Sequence, residues 1–496
     1  MSDTYTFAWL VLLVAGVGLA ALLSNRLTER IKIPAPLLVL VAAAIAVKAV
    51  PDLHQPPERL VERLVTIALI CILFDGGLHM CWPKFRSAAA PIAIVGVLGT
   101  FLTAGAATAF IHYTFGLSWY LALLIATAIS PTDPAVVFSV LGQREVAGRS
   151  GTILEGESGA NDPVGIALMA SLITAGGLDA GAFGHIAGEF ALQMGVGAAA
   201  GILGGRVLLW FIRAVPLPSE GLYPLRTLAG ALILFGATTL AHGSGFLAVF
   251  IAGILLGDER APYKREVERF HSALASLGEI VAFVVLGLTV DLHELSKASV
   301  WLPGLVIGAV LAAVIRPVLV GLCLIPARLK ANELSFVLFA GLKGAVPILL
   351  GGFILAAHVE DAPRLYGIVV IVVAFSVLLQ GSLVPAVAGW LHLPMRTNPT
   401  EPWALGVRLA EEPDGVHRLT VAAGSPADGH RIDELPDLPD DAWISLVVRD
   451  NQLLPVKADT PLRAGDQLLI IAEPDLAEQL LAVFTRAGRG ERPAGR

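Results

Sequence analysis

The sequence predicts an all-α polytopic membrane protein with a small cytoplasmic α+β domain at its C-terminal end, and three observations carry that prediction. Apolar residues make up 55% of the 496 positions and charged residues 15%, too greasy a mixture for a soluble fold. Up to about position 395 the chain repeats apolar runs of roughly 20 residues, the length of a membrane-crossing helix, broken by short polar loops. Beyond Pro394 the pattern changes to short alternating runs bounded by turn residues. The net charge is −7 and basic residues are scattered through loops, which leaves no footprint for a nucleic-acid partner.

Thirteen spans are expected, near 5–24, 34–50, 60–80, 88–111, 117–141, 151–176, 184–212, 222–241, 244–257, 273–290, 300–325, 334–356 and 365–391. The first lacks a basic leader and an Ala-x-Ala site, so it reads as a retained helix rather than a cleaved signal. Basic residues stand at or after the end of every odd-numbered span: Arg26, Arg30 and Lys32, then Lys84 and Arg86, Arg144 and Arg149, Arg206 and Arg213, Lys264 and Arg265, Arg328 and Lys330, and Arg396, while the intervening loops are nearly free of them, with Lys48, Arg59, Lys297 and Arg364 as exceptions. The positive-inside rule then puts the N-terminus outside and the C-terminus in the cytoplasm of a multi-pass plasma (bacterial inner) membrane protein. Cys71, Cys81 and Cys323 fall in or beside apolar spans without metal-ligand spacing, so neither a disulfide nor a resident metal is expected.

The chemistry is expected where apolar spans are interrupted. Ser130-Pro131-Thr132-Asp133-Pro134 breaks span five, and Lys343-Gly344-Ala345-Val346-Pro347 followed by Gly351-Gly352 breaks span twelve. Two interrupted helices at matching places in two halves point to an inverted-repeat transporter, with spans four to six matching eleven to thirteen. A broken helix leaves N–H groups at one half-end and C=O groups at the other, and Asp133 and Lys343 carry suitable signs to satisfy them. The next span supplies Glu157-Ser158-Gly159-Ala160-Asn161-Asp162-Pro163. A desolvated carboxylate either takes a proton or holds a cation, and those outcomes exclude each other, which is the logic of exchange. Asp162 is the first choice for the shared site and Asp133 the second acid, with Thr132, Ser158 and the carbonyls around Thr132 as further oxygen ligands. Asn161 is neutral where another acid could carry another charge, which suggests one-for-one electroneutral exchange.

Glu157 requires a cation at membrane depth. Arg316, beside Pro317 in span eleven, is the expected partner in a structural pair because arginine does not discharge by losing a proton, with Lys343 second. Asp75, in Leu73-Phe74-Asp75-Gly76-Gly77-Leu78, either reaches the ion through water or satisfies the backbone around its glycines. His112, His242 and His358 read as interfacial, and the charged stretch Asp258 to His271 as a solvated connection.

On these motifs the chain resembles the monovalent cation:proton antiporter-1 family, particularly bacterial potassium/proton antiporters of the cell-volume-regulation type with a TrkA C-terminal (RCK_C) domain. The resemblance rests on Phe74-Asp75-Gly76-Gly77-Leu78, Ser130 to Pro134, Glu155-Gly156-Glu157-Ser158 leading to Asn161-Asp162-Pro163, Arg316-Pro317 and Gly341-Leu342-Lys343-Gly344-Ala345-Val346-Pro347. It implies thirteen helices, a homodimer, an elevator-like movement of a six-helix core, ligands at Thr132, Asp133, Ser158 and Asp162, the Glu157 to Arg316 bridge, and electroneutral exchange from the Asn-Asp pair. The chain departs from the family pattern at Asp75, where Glu is usual, and at Lys343, where Arg is usual, so the choice between K⁺ and Na⁺ stays open.

The expected domains are an exchanger domain over 1–395, a linker over 396–402, a regulatory domain over 403–487 and a disordered tail over 488–496. Strands are expected at Ala404 to Leu409, His417 to Ala422, Trp443 to Val448, Leu453 to Val456 and Gln467 to Ala472, closed by a helix from Pro474. The RCK_C resemblance implies dimerisation and, in some relatives, a small effector such as cyclic di-AMP. No G-x-G-x-x-G occurs in this region, which argues against NAD or ATP sensing. The reading is a non-enzymatic antiporter exchanging K⁺ or Na⁺ for H⁺. Two rivals fit less well: a ligand-gated cation channel would need a carbonyl filter such as T-V-G-Y-G, and a membrane aspartyl hydrolase would need an acid, not Lys343, in the second broken helix.

Overall fold

The computed structural model describes Gly16 and residues 35–49, 57–80, 82–141, 144–146, 149–178, 181–258, 263–393, 395–397, 415–435, 438–439, 441–449 and 452–485. The chain divides into two compact units, Met1–Pro402 and Trp403–Arg496. The first expected span, the basic residues after it, Cys81, the strand expected at 404–409, most of the linker and the 488–496 tail lie outside the described residues.

The described helices of the first unit are, in order, α1 (Ala35–Ala49), α2 (Glu58–Met80), α3 (Trp82–Ala93), α4 (Thr100–Phe115), α5 (Trp119–Ala128), α6 (Pro134–Leu141), α7 (Arg149–Ala175), α8 (Ala182–Ala214), α9 (Leu222–Leu240), α10 (Gly245–Asp258), α11 (Lys264–Leu288), α12 (Leu292–Ser296), α13 (Ala298–Val310), α14 (Arg316–Leu324), α15 (Ala331–Phe339), α16 (Ala345–Ala356), α17 (Ala362–Phe375) and α18 (Ser382–Trp390). Among the described residues, five continuous helical stretches are long and apolar enough to cross a membrane, including Phe85–Phe115, Ala298–Ala327 and Ala362–Trp390. These three each contain one wide π-turn, at Ile94–Gly99, Leu311–Ile315 and Ser376–Gly381 respectively, and such turns swing the following side chains to a new bearing.

Two spans are broken. Helix α5 starts on a Ser118 cap, whose hydroxyl accepts from the Leu121 N–H at 3.3 Å. It stops at Ala128 because Pro131 and Pro134 cannot donate to the helical ladder, and Pro134 then opens α6. Helix α15 ends at Phe339 and α16 begins at Ala345, leaving Ala340 to Gly344 unwound. Elsewhere small residues let backbones touch, the usual means of holding helices together in lipid. Gly197, Gly201 and Gly205 of α8 form one stripe against Ser244, Ala248 and Ala252, where added Cβ atoms would crowd those residues. Gly77 of α2 and Gly253 of α10 meet in the same way.

The charged stretch before α11 departs from expectation. Helix α11 begins inside it at Lys264, and His271 is fully buried, with Nε2 2.8 Å from Thr227 Oγ1 and its ring edge-on to Phe74. The reason is periodicity: Val267, His271 and Gly278 fall on the face that packs inward. A two-stranded ribbon joins β1 (Arg144–Val146) to β2 (Met395–Thr397) antiparallel, and Arg149 donates to the Ala327 carbonyl at 3.3 Å. The segments after spans five, eleven and thirteen therefore lie on one face of the membrane unit.

The second unit holds β3 (Val416–Thr420), β4 (Trp443–Arg449), β5 (Gln452–Leu454) and β6 (Gln467–Ile471) in an antiparallel sheet of order β3-β6-β4-β5, followed by α19 (Ala477–Phe484). Leu468 and Ile470, alternate residues of β6, and Ile444 and Val447, on either side of a register shift in β4, bury in one core with Leu480, Val483 and Phe484 of the helix. Asp466, at 1% exposure, receives Arg449 Nε and Nη2 at 2.8 and 2.7 Å and the Arg463 N–H at 2.8 Å. Burial pushes its carboxyl up, but these donors outweigh burial and hold it below the usual carboxylate range. Because the folded-state value is depressed, the stabilisation is present above the unfolded value and fades as pH falls through the folded one. Arg449→Ala should cost this unit about 2–3 kcal/mol. In full-length protein, hydrogen exchange of β4 and β6 amides, corrected for intrinsic rates, should lose protection as pH falls through and below the ordinary aspartate range, and Asp466→Asn should flatten that dependence.

Candidate functional site

The two unwound segments meet and satisfy each other. The Asp133 N–H donates to the Leu342 carbonyl at 2.8 Å. The Lys343 ammonium donates to the Ser130 and Pro131 carbonyls at 2.8 and 3.0 Å, closing the C-terminal half-end of α5 that the prolines left open. The sequence reading reserved carbonyls around Thr132 for a transported cation; the structure gives two of the neighbouring carbonyls to Lys343. The Lys343 N–H in turn donates to Ser376 Oγ at 3.0 Å, and Ser376 donates to Gln380 Oε1 at 3.2 Å. Both residues sit in the π-turn Ser376–Gly381. Gly344 has to be glycine, since a Cβ there would overlap the Asp133 carboxylate.

Helix α7 lays its polar residues against this crossing. Asn161 grips Thr132 twice, donating from Nδ2 to Oγ1 at 2.8 Å and accepting the Thr132 N–H at 3.4 Å. Thr132 Oγ1 donates to Glu157 Oε1 at 3.4 Å. Ser158 Oγ donates to Asp162 Oδ2 at 3.4 Å, one turn along the helix. Asp162 is buried, its Oδ1 is enclosed with no hydrogen-bond partner among the described residues, and the Asp133 and Lys343 charges both act on it.

Glu157 and Arg316 form a two-pronged ion pair, with Nη1 to Oε1 at 2.7 Å and Nη2 to Oε2 at 3.0 Å, and both residues are buried. The remaining guanidinium donors go to the Leu338 and Val337 carbonyls at 3.1 and 3.2 Å, the end of α15 left open by the second break. Arg316 follows directly on the π-turn Leu311–Ile315. Glycine at 341 leaves room for the guanidinium, because a Cβ there would overlap it.

Eight of the expected residues thus gather in one place: Thr132, Asp133, Glu157, Ser158, Asn161, Asp162, Arg316 and Lys343. Asp75 is engaged elsewhere, accepting from Ser272 of α11 at 3.0 Å and lying 3.4 Å from His79 Nδ1. Three contributors escaped the sequence reading. Ser376 and Gln380 carry no charge and no motif. Glu279 on α11 has an enclosed Oε1 with no hydrogen-bond partner among the described residues and lies within electrostatic reach of Asp133; its signal was a single acid inside the expected span 273–290. No group of three or more His, Cys, Asp or Glu able to hold a metal occurs among the described residues.

Crossed broken helices with charges at their half-ends, inside a multi-pass helical unit, define a membrane transporter. Residues 17–390 match the transmembrane domain of the sodium/hydrogen exchangers, and residues 416–485 match the TrkA-C domain. The chain is 31% identical to the K⁺/H⁺ antiporter NhaP of Alkalimonas amylolytica, covering 95% of this chain and 83% of that one. It is 30% identical to the K⁺/H⁺ antiporter NhaP2 of Shewanella sp. strain MR-4, covering 96% and 83%. Among solved structures, the sodium proton antiporter MjNhaP1 from Methanocaldococcus jannaschii aligns with a TM-score of 0.65 at 22% identity, over 77% of this chain and 98% of that one. The chain belongs to the sodium/hydrogen exchanger family and carries a TrkA-C domain.

Removing Arg316 would strand the Glu157 carboxylate in the interior at a cost of about 3–5 kcal/mol. Arg316→Ala should therefore lower folded yield and thermal midpoint in detergent, and Gly341→Ala should lower the midpoint by displacing the same guanidinium. Unchanged midpoints in both would remove the pair from the list of structural supports.

Proposed function

We propose that this protein is a secondary active antiporter exchanging K⁺ or Na⁺ for H⁺ by alternating access, with proton and cation competing for Asp162 and Asp133. The observation that carries this is Asp162 Oδ1, an enclosed acceptor with no hydrogen-bond partner among the described residues, under the charge of a second acid, Asp133. An unmatched carboxylate oxygen in a low-dielectric site either binds a proton or takes a desolvated cation. Ser158 on α7 supplies a further oxygen 3.4 Å from its carboxylate, and Thr132 on the break is held to Asn161, the residue next to Asp162. The names of the K⁺/H⁺ antiporter relatives support the same exchange. The channel reading gains nothing from the crossing, because two of its break carbonyls are already occupied by an ammonium.

Thirteen spans in two inverted halves fit the placement of the irregularities. Spans five and twelve are broken and spans four and eleven each carry a π-turn, whereas the π-turn of span thirteen has no counterpart in span six. The pairing of β1 with β2 fits loops of equal parity on one side, which the positive-inside rule makes cytoplasmic. The Glu157 to Arg316 pair is structural in this scheme and Lys343 holds the break. A homodimer and regulation through the TrkA-C domain, with or without a small nucleotide effector, complete the proposal.

In everted vesicles, Asp162→Asn should abolish cation-dependent dequenching of a pH-sensitive dye, and wild-type signal in that variant would rule out this site. The assay run with K⁺, Na⁺ and Li⁺ at several pH values reads ion preference directly. Truncation after Thr397 should leave exchange measurable with an altered pH or effector response; loss of all transport from folded protein would make the C-terminal unit part of the transport machinery.

A further inference from the structure

Helix α7 turns its hydrogen-bonding residues in one direction and a bare glycine in another. Glu157 and Asn161 face the break and Arg316, where their hydrogen bonds are made. At about 100° of turn per residue, Gly159 lies on the far side of the helix, and Asp162 falls between the two bearings, about 60° from Gly159 and about 100° from Asn161. Helices α7 and α10 pack together, and the group that meets Gly159 is the ring of Phe250, which is so close that a Cβ on the glycine would overlap Cζ and Cε2. Phe250 is itself buried. A large apolar side chain of α10 therefore ends on α7 one residue past Ser158 and one turn before Asp162.

Phe250 is also held from behind. Gly77, in Leu73-Phe74-Asp75-Gly76-Gly77-Leu78, lies where a Cβ would overlap the Phe250 carbonyl, and Gly253 and Gly257 approach the Phe74 and Leu78 carbonyls in the same way. On its other flank α10 receives the glycine stripe of α8. Drawing α10 back from α7 would open these close backbone contacts, so the ring has a fixed seat. This gives the glycines of the motif a task separate from that of Asp75, which is bonded to Ser272. From Gly245 to Gly257 helix α10 carries no polar side chain. It can give the site shape but no side-chain ligand, although Asp162 Oδ1 is enclosed with no hydrogen-bond partner among the described residues.

We infer that Phe250 is the specificity-determining wall of the exchange site, seated on Gly159 so that water is kept off the α10 side of Asp162 and a cation bound there sheds its hydration shell on that side. A carboxylate attracts an ion more strongly where water does not screen it. The cost of stripping water differs among Li⁺, Na⁺ and K⁺, so a dry wall converts ion size into a difference in affinity. This rests on the exchange reading above and adds to it the residue by which cations are told apart.

The test is exchange in everted vesicles, read with a pH-sensitive dye against the concentration of K⁺, Na⁺ and Li⁺, for wild type, Phe250→Ala, Gly159→Ala and the double variant Gly159→Ala with Phe250→Leu. Phe250→Ala should raise the apparent KM of the best-bound cation by about tenfold and shrink the KM ratios among the three cations. Gly159→Ala, which pushes the ring off α7, should do the same. Adding Phe250→Leu to that chain makes room for the new methyl and should bring the KM back toward wild type. A lower maximal rate with unmoved KM values in Phe250→Ala makes the ring mere packing, a KM raised equally for all three cations gives it no part in specificity, and wild-type kinetics remove it altogether; each overturns the wall. Should Phe250→Ala fail to fold, the Gly159 variants decide: unmoved KM values in Gly159→Ala, or no recovery in the double variant, overturns the wall equally. Wild-type vesicles showing no cation-driven proton movement would instead sink the exchange reading itself.

Discussion

The membrane unit depends on a mutual repair between two interrupted helices. Each break exposes backbone groups that lipid cannot satisfy, at several kcal/mol apiece on the general scale for unmet polar groups. One repair is backbone to backbone, the Asp133 N–H on the Leu342 carbonyl, and one is a side chain, the Lys343 ammonium on the Ser130 and Pro131 carbonyls. Because each segment supplies what the other lacks, neither break is tolerable alone. The acids are thereby fixed in place: Asp133 is held by its own backbone at the crossing, and Asp162 of α7 feels its charge, with one oxygen unmatched among the described residues.

The arginine contact extends the same principle outward. Arg316 satisfies Glu157 and also takes the carbonyls of Val337 and Leu338, in the last turn before the second break. One guanidinium thus closes a helix end and neutralises a buried acid, work that needs several fixed donors in a plane, and a lysine has no such fork. At 343 the demand differs. A compact ammonium on a flexible stem suffices to reach two adjacent carbonyls, so the Lys at this position is compatible with the geometry even though the related pattern usually has Arg.

Much of this was legible in the sequence because charge and proline inside apolar runs are costly, and costly residues stand out. Thr132, Asp133, Glu157, Asp162, Arg316 and Lys343 could be named without coordinates for that reason. The residues that were missed are those whose meaning depends on position in space. Ser376 and Gln380 look ordinary in a helix until a π-turn points them at the break. Glu279 stands alone in its span and becomes informative only when its Oε1 is seen to be enclosed with no hydrogen-bond partner among the described residues. The stretch before α11 misled because its charges hid the helical period that buries His271. Asp75 could be read two ways in sequence, and its partner Ser272 lies 197 positions away, beyond what local pattern can reveal.

Asn161 shows how a neutral residue can be constrained as tightly as an acid. Its amide both donates to the Thr132 hydroxyl and accepts the Thr132 N–H, a pairing that requires one donor and one acceptor on the same side chain. An ionised aspartate at this position has no proton to give, so it would lose the shorter of the two contacts while adding a charge next to Asp162. The neutrality first read as a clue to stoichiometry is therefore also a mechanical requirement of the clamp that ties α7 to the break. A variant carrying acid at 161 changes charge and geometry together, and its transport stoichiometry reports on the charge alone only where the hold on Thr132 has survived.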